Sequence, residues 1–204
     1  MSDILCVTNR RLCREDFLSR MEEIGKARPL GVILREKDLS GEEYQKLAAK
    51  TEAVLKKYGV PCIFHNFYDV AARQNASAVH LSLPVLRNLT DLKKSRFSVI
   101  GASCHSLEEA QEAEELGCAY ITAGHIFETD CKKGLPGKGL EFLKNICANV
   151  SIPVYAIGGI NKNNIRFVRA AGAKGACIMS SLMQCADAAA YLKSFRKDSE
   201  NNAF

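Results

Sequence analysis

The sequence predicts an α/β protein folded as a single (β/α)8 TIM barrel, on three observations. Eight short apolar, β-branched runs recur along the 204 residues. A longer segment that reads as helix follows each run. Most runs are apolar throughout, which suits strands covered on both faces in a parallel sheet. Alternating strand and helix predicts a parallel sheet with helices outside. Eight units favour closure into a barrel, whereas a five-stranded open sheet would require discarding three of the runs. A chain of this length is short for such a barrel, yet it hides about 70% of its surface on folding.

The strand candidates, in order, are Ile4–Thr8, Val32–Leu34, Pro61–Phe64, Ala78–Leu81, Ser98–Ser103, Ala119–Ala123, Val154–Ile157 and Ala176–Met179. Ser40-Gly41-Glu42-Glu43 opens a long helix as a capping box, and Gly59 ends it after Lys56-Lys57. Ser106-Leu107-Glu108-Glu109 repeats the signal, with a stop at Gly117. Asn163 is the expected cap of a further helix that ends near Gly172, and the last helix is expected over Ala186–Arg196. Residues 1–204 read as one domain without linker or low-complexity segment, with a polar, frayed tail over 197–204.

Composition narrows the function classes. The hydrophobic share of 47% and charged share of 25% are those of a soluble globular domain, which excludes disordered and fibrous chains. No apolar run reaches the ~18 residues of a membrane span, and Met1-Ser2-Asp3-Ile4 does not begin as a signal peptide. The nine cysteines form no CxxC pair, and several sit inside apolar runs, as in Leu5-Cys6-Val7 and Ala176-Cys177-Ile178. They read as small hydrophobes in a reducing cytoplasm, and no zinc-like Cys/His spacing is present. The net charge of +5 is scattered, with no basic helix and interleaved aromatics for nucleic acid, and it suits an anionic ligand.

In a barrel of this kind chemistry belongs at the C-terminal strand ends. The residues following the eight runs include Thr8-Asn9-Arg10, Arg35-Glu36-Lys37, His65-Asn66, Ser82, Ser103-Cys104-His105, a long loop from Gly124, Gly158-Gly159-Ile160, and Ser180-Ser181. All four histidines fall at that end; His80, flanked by Val79 and Leu81, also reads as an inward structural residue. Gly158-Gly159 with Ser180-Ser181 suggests a phosphate site, since glycine lets backbone N–H groups approach an anion and a helix N-terminus adds positive potential. The plainer alternative is that these glycines only make tight turns.

Arg35-Glu36-Lys37, Ala156-Ile157-Gly158-Gly159-Ile160 and the loop after the sixth run resemble the thiamine phosphate synthase/TenI superfamily, over roughly Ile4 to Met183. The loop reads Gly124-His125-Ile126-Phe127-Glu128-Thr129-Asp130-Cys131-Lys132-Lys133-Gly134-Leu135 and is similar to the thiazole tautomerase (TenI-like) branch, with His125 its most telling residue. Synthases of the superfamily carry acidic magnesium ligands after the third and fourth strands, where this chain has His65-Asn66 and Val85. Magnesium requires hard oxygen donors near a diphosphate, so the resemblance implies that diphosphate-displacing synthesis is impaired or absent.

On that resemblance the expected function is a thiazole tautomerase of thiamine biosynthesis, an isomerase that aromatises a carboxylated thiazole phosphate, with His125 as general acid/base. Arg35, Lys37, Ser103 and Lys133 are expected on the substrate, and Gly158, Gly159, Ser180 and Ser181 on its phosphate. No cofactor or metal is expected, and magnesium enters only with the alternative, a thiamine phosphate synthase joining thiazole phosphate to hydroxymethylpyrimidine diphosphate. A second alternative is a non-catalytic thiazole-phosphate-binding regulatory protein. Partners are expected to be a phosphorylated thiazole and a second copy of the chain in a homodimer, with no nucleic acid or membrane. Lys132 and Lys133 read equally well as solvated loop charges, Glu128 as either an orienter of His125 or a loop cap, and Cys104 and Cys131 lack an identified base.

Overall fold

Eight parallel strands pair in sequence order, and the eighth returns to the first, closing a barrel. The computed structural model describes residues 2–129 and 132–195. The strands are β1 Ile4–Val7, β2 Gly31–Leu34, β3 Cys62–His65, β4 Ala78–Ser82, β5 Val99–Cys104, β6 Tyr120–Gly124, β7 Val154–Ile157 and β8 Gly175–Ile178. Each of the expected runs matches one of them within a residue at either end, the usual latitude of such boundaries.

Ten α-helices lie among the described residues, besides a 3-10 turn at Arg10–Leu12: α1 Phe17–Ala27, α2 Gly41–Lys56, α3 Tyr68–Arg73, α4 Leu83–Arg87, α5 Asp91–Lys94, α6 Leu107–Glu115, α7 Gly139–Asn149, α8 Ile165–Ala170, α9 Ser180–Gln184 and α10 Ala188–Ser194. The capping box at α2 is complete: Glu43 N–H donates to Ser40 Oγ, and the Glu43 carboxylate accepts from Ser40 N–H. Gly59 and Gly117 follow α2 and α6 at φ 67 and 86, the left-handed stop that favours glycine. The cap of α8 is Asn164, not Asn163. Asn164 is drawn inward by two loop bonds, accepting from Asn161 N–H at 2.8 Å and donating to Gly159 C=O at 3.0 Å. The last helix begins at Ala188, because Asp187 accepts from Ala190 N–H and fixes the turn there. The tail expected over 197–204 lies outside the described residues.

Strand side chains alternate between two buried layers. Leu5, Val7, Ile33, Ile63, Ala78, Tyr120, Tyr155 and Cys177 form the barrel interior. Their neighbours, such as Cys6, Val32, Leu34, Phe64, Val79 and Ala102, pack outward under the helices. The interior is filled, not hollow. Gly101 is part of that packing: a Cβ there would lie 2.2 Å from the Tyr120 ring, so only glycine leaves the tyrosine its place. Among the described residues no helix is long and apolar enough to cross a membrane.

Candidate active site

The inward register that fills the barrel also selects what reaches its mouth. Extending it by one position past the packed layer brings Arg35, His65, Ser82, Ser103 and Met179 to the C-terminal ends of their strands, where they line one cavity of about 470 Å³. The loop after β6 adds His125, Glu128, Thr129 and Lys132, and the far wall is Gly158, Gly159, Ser180 and Ser181.

One wall is cationic because alternation separates Glu36 from its neighbours. Arg35 and Lys37 face the cavity, and Glu36 turns the other way and is buried. There its carboxylate accepts from the Thr8 hydroxyl at 2.6 Å, from Arg10 N–H at 3.0 Å and from the Arg10 guanidinium at 3.0 Å. Thr8 in turn accepts from Arg35 N–H at 2.9 Å, which fixes the backbone that carries the arginine. Asp38 is taken up by Arg10 and Arg11. Neither carboxylate neutralises the cavity wall. Accordingly, loss of solvent, then the nearby Arg35 and Lys132, holds the Lys37 amine below its ordinary value.

The floor is a buried polar column. Ser103 Oγ lies 2.8 Å from His80 Nε2, and His80 Nδ1 lies 3.1 Å from the Tyr120 hydroxyl. Thr122 Oγ1 stands 3.5 Å from both His80 Nε2 and Ser103 Oγ. Burial lowers the His80 pKa to about 3, so the ring is neutral and carries one donor and one acceptor. One flanking hydroxyl therefore gives a proton to the ring and the other receives one. His65 stacks on His80 at 6.0 Å, and burial, with His80, Arg35 and Lys37 adding to it, lowers its pKa to about 3.

The glycine wall has a structural duty of its own. Gly158 and Gly159 hold φ 102 and 65. A Cβ on Gly158 would sit 2.4 Å from His125 Cβ, and one on Gly159 would sit 2.4 Å from Glu128 C=O. The loop after β6 thus lies directly on the loop after β7, joined by Ile126 N–H to Ile157 C=O at 2.9 Å and Phe127 N–H to Gly158 C=O at 3.1 Å. The helix α9 begins opposite Gly158 and Gly159 at Ser180, on the same cavity.

Of the expected site residues, Arg35, Lys37, Ser103, His125, Gly158, Gly159, Ser180 and Ser181 meet in this cavity. Lys133 does not; it lines an adjoining depression formed by the loop itself, and Lys132 is the lysine that lines both. Loop chemistry alone could not separate two adjacent lysines. His125 Nε2 lies 3.3 Å from Leu135 C=O and clasps the loop, and no carboxylate is bonded to it among the described residues. Cys104 points outward, with its thiol on Glu109 C=O at 3.4 Å and its pKa pushed up by burial to about 12, which removes it as a nucleophile. Cys131 lies outside the described residues.

The superfamily's magnesium does not fit the donors present. Asn66, at φ 61, spends its side-chain oxygen on Ser82 N–H at 2.8 Å, and Val85 packs against the core. Glu128 is the one carboxylate among the described residues lining the cavity, and no described cluster of His, Cys, Asp or Glu has the makings of a metal site.

These features define the protein as a closed (β/α)8 barrel with one cavity, walled by cations on one side and by glycines on another, at the C-terminal ends of its strands. The sequence profile of the thiamine monophosphate synthase family matches residues 4–182, and the chain belongs to that family. It is 36% identical over 205 residues to the thiamine-phosphate synthase of Syntrophomonas wolfei, covering 96% of this chain and 95% of the relative. It is 36% identical to the thiamine-phosphate synthase of Clostridium acetobutylicum, covering 87% and 85%. The structure of thiamine phosphate pyrophosphorylase from Pyrococcus furiosus superposes with a TM-score of 0.83 at 31% identity, over 98% of this chain and 96% of that one.

These relatives overturn the expectation of a thiazole tautomerase and of an isomerase. Similarity to proteins named as synthases runs over most of the chain, whereas the tautomerase reading leaned on one loop and on two missing acidic residues. The acid/base assignment of His125 was tied to that reaction and loses its basis with it.

Proposed function

We propose that the protein is a thiamine-phosphate synthase, a transferase that joins a thiazole phosphate to a hydroxymethylpyrimidine diphosphate and releases diphosphate. The observation that carries the reading is the pairing of two different anion-binding walls across one cavity of about 470 Å³. The reaction needs both. The Gly158-Gly159 N–H groups and the first turn of α9 suit a phosphate monoester, which backbone donors can cradle. Arg35, Lys37 and Lys132 suit the more highly charged diphosphate. Family membership and the names of the relatives support the same choice.

The chemistry asks little of an acid or base. The lone pair of the thiazole nitrogen forms a bond to the pyrimidine's methylene carbon, and the electron pair of the carbon–oxygen bond leaves on the diphosphate. No proton has to move, so the site requires no analogue of a tautomerase histidine. What the reaction does require is stabilisation of charge developing on the leaving group. Preorganised cations at the diphosphate supply that. Ser103, held by neutral His80, presents a fixed hydroxyl on the cavity floor between the two walls, where it orients a substrate ring.

The test is turnover of the two substrates by the purified chain and by Ser103→Ala and Arg35→Ala. Removing the arginine is expected to cost about 10²–10³-fold in kcat/KM, the scale for a lost charge-stabilising group. Full activity in Arg35→Ala would sink the assignment of the diphosphate to this wall.

A further inference from the structure

We propose that this chain binds the diphosphate group through Arg35, Lys37 and Lys132 without a divalent cation. The inference rests on the synthase reading for the identity of the ligand, and departs from what the superfamily resemblance implies about magnesium. Four observations carry it.

First, the positions implied to be acidic cannot supply donors. Asn66 has already committed its oxygen to Ser82 N–H, and its left-handed backbone, at φ 61, belongs to the turn that makes this bond. Val85 offers no donor atom. Second, among the described acidic residues at this end only Glu128 lines the cavity, and a single carboxylate does not make a magnesium site. Glu36 is closed off by Thr8 and Arg10, and Asp38 by Arg10 and Arg11. Third, Arg35, Lys37 and Lys132 have no ion-pair partner among the described residues, and their mutual repulsion is what lowers the Lys37 pKa beyond its loss of solvent. A divalent cation placed among them would meet the same repulsion. Fourth, the charges match. A diphosphate ester carries up to about three negative charges at neutral pH, which these cations balance directly. Its magnesium complex would carry about one negative charge and leave most of the wall's positive charge uncompensated.

Guanidinium and ammonium groups can do at the leaving diphosphate what a metal does elsewhere, by neutralising the oxygens on which the departing electron pair collects. The bonds made and broken are those of the proposed reaction, and no additional reactant is required.

The experiment is calorimetric titration of the full chain with inorganic diphosphate, once in EDTA and once in millimolar magnesium. Binding is expected in EDTA, and magnesium is expected to leave it unchanged or weaken it, because the metal competes for diphosphate in solution. Lys37→Ala is expected to weaken binding in EDTA by about tenfold or more. Lys133→Ala, outside the cavity, serves as the control for a general loss of surface charge, and thermal melting shows that both variants fold. Binding that requires magnesium, or that magnesium tightens by about tenfold or more, overturns the proposal. So does absence of binding in both buffers, or a Lys37→Ala variant that matches the parent. Metal-free binding without synthesis would sink the synthase reading and leave this inference standing. Synthesis that depends on magnesium would do the reverse.

Discussion

Glu36 shows how one residue sets the character of a site it never enters. Its carboxylate gathers Thr8 and Arg10 behind the wall, so Arg35 and Lys37 stand free of it on the cavity side. Removing one partner of a buried, multiply bonded charge leaves the others unsatisfied. Glu36→Ala is therefore expected to destabilise the fold by about 3 kcal/mol, measured by chemical denaturation. An unchanged midpoint would show that the tether is not structural. Gly158 is the second such residue. Its φ of 102 and the 2.4 Å approach to His125 Cβ leave no room for a methyl group. Gly158→Ala is expected to cost about 1–3 kcal/mol and to weaken binding of a phosphate monoester, read by melting and by titration. The residues around the site were legible in sequence as a set, since they follow the strands. Their division into cavity-facing and outward-facing members was not, because it depends on carrying the inward register past the strand end. Thr8, Arg35, Glu36 and Lys37 look alike in a list and differ only in that phase.

Among the elements, the strands were the most legible. An apolar β-branched run covered on both faces has few alternatives in a chain with repeated helix signals. The helix α2 was equally plain, because Ser40 and Glu43 fix its start reciprocally. Ser40→Ala is expected to lower stability by about 1 kcal/mol, seen as a shift of the unfolding midpoint without a change in slope. The short α9 was missed as a helix although its residues were assigned to the phosphate wall. Ser180-Ser181-Leu182-Met183 carries neither a stop signal nor enough length for a periodic pattern, and the helix is ordered by burial of Leu182 and Met183. The cap of α8 moved by one residue for a tertiary reason: Asn164 reaches back to Gly159 and braces the glycine wall.

At the scale of the whole molecule, the buried histidine column couples the barrel to pH. His65 and His80 have folded pKa values lowered to about 3, below the ~6.5 of an unfolded histidine. The unfolded chain therefore binds protons that the native chain does not, over the interval from about pH 6.5 to about pH 3. The stabilising contribution is fully present above that interval and is lost as pH falls through it, at about 2 kcal/mol per histidine by pH 5. Thermal melts from pH 7.5 to pH 4.5 are expected to show this decline, and His80→Gln is expected to flatten it. A melting temperature that rises on acidification would contradict the assignment of neutral rings. The fold and the family were legible in the sequence as a whole, whereas the branch was not. His125, Asn66 and Val85 belong to one loop, one turn and the short helix α4, whereas the resemblance to the synthases is spread over the full barrel.

The most direct test of the account is to incubate the purified chain with thiazole phosphate and hydroxymethylpyrimidine diphosphate and to follow both thiamine phosphate and free diphosphate. Parallel reactions would contain magnesium or EDTA, so that a need for metal cannot hide the activity. A synthase is expected to give the two products in equal amounts, and Arg35→Ala to lose both. Absence of both products in both buffers, from a chain that melts cooperatively and still binds each substrate, would contradict the synthase reading.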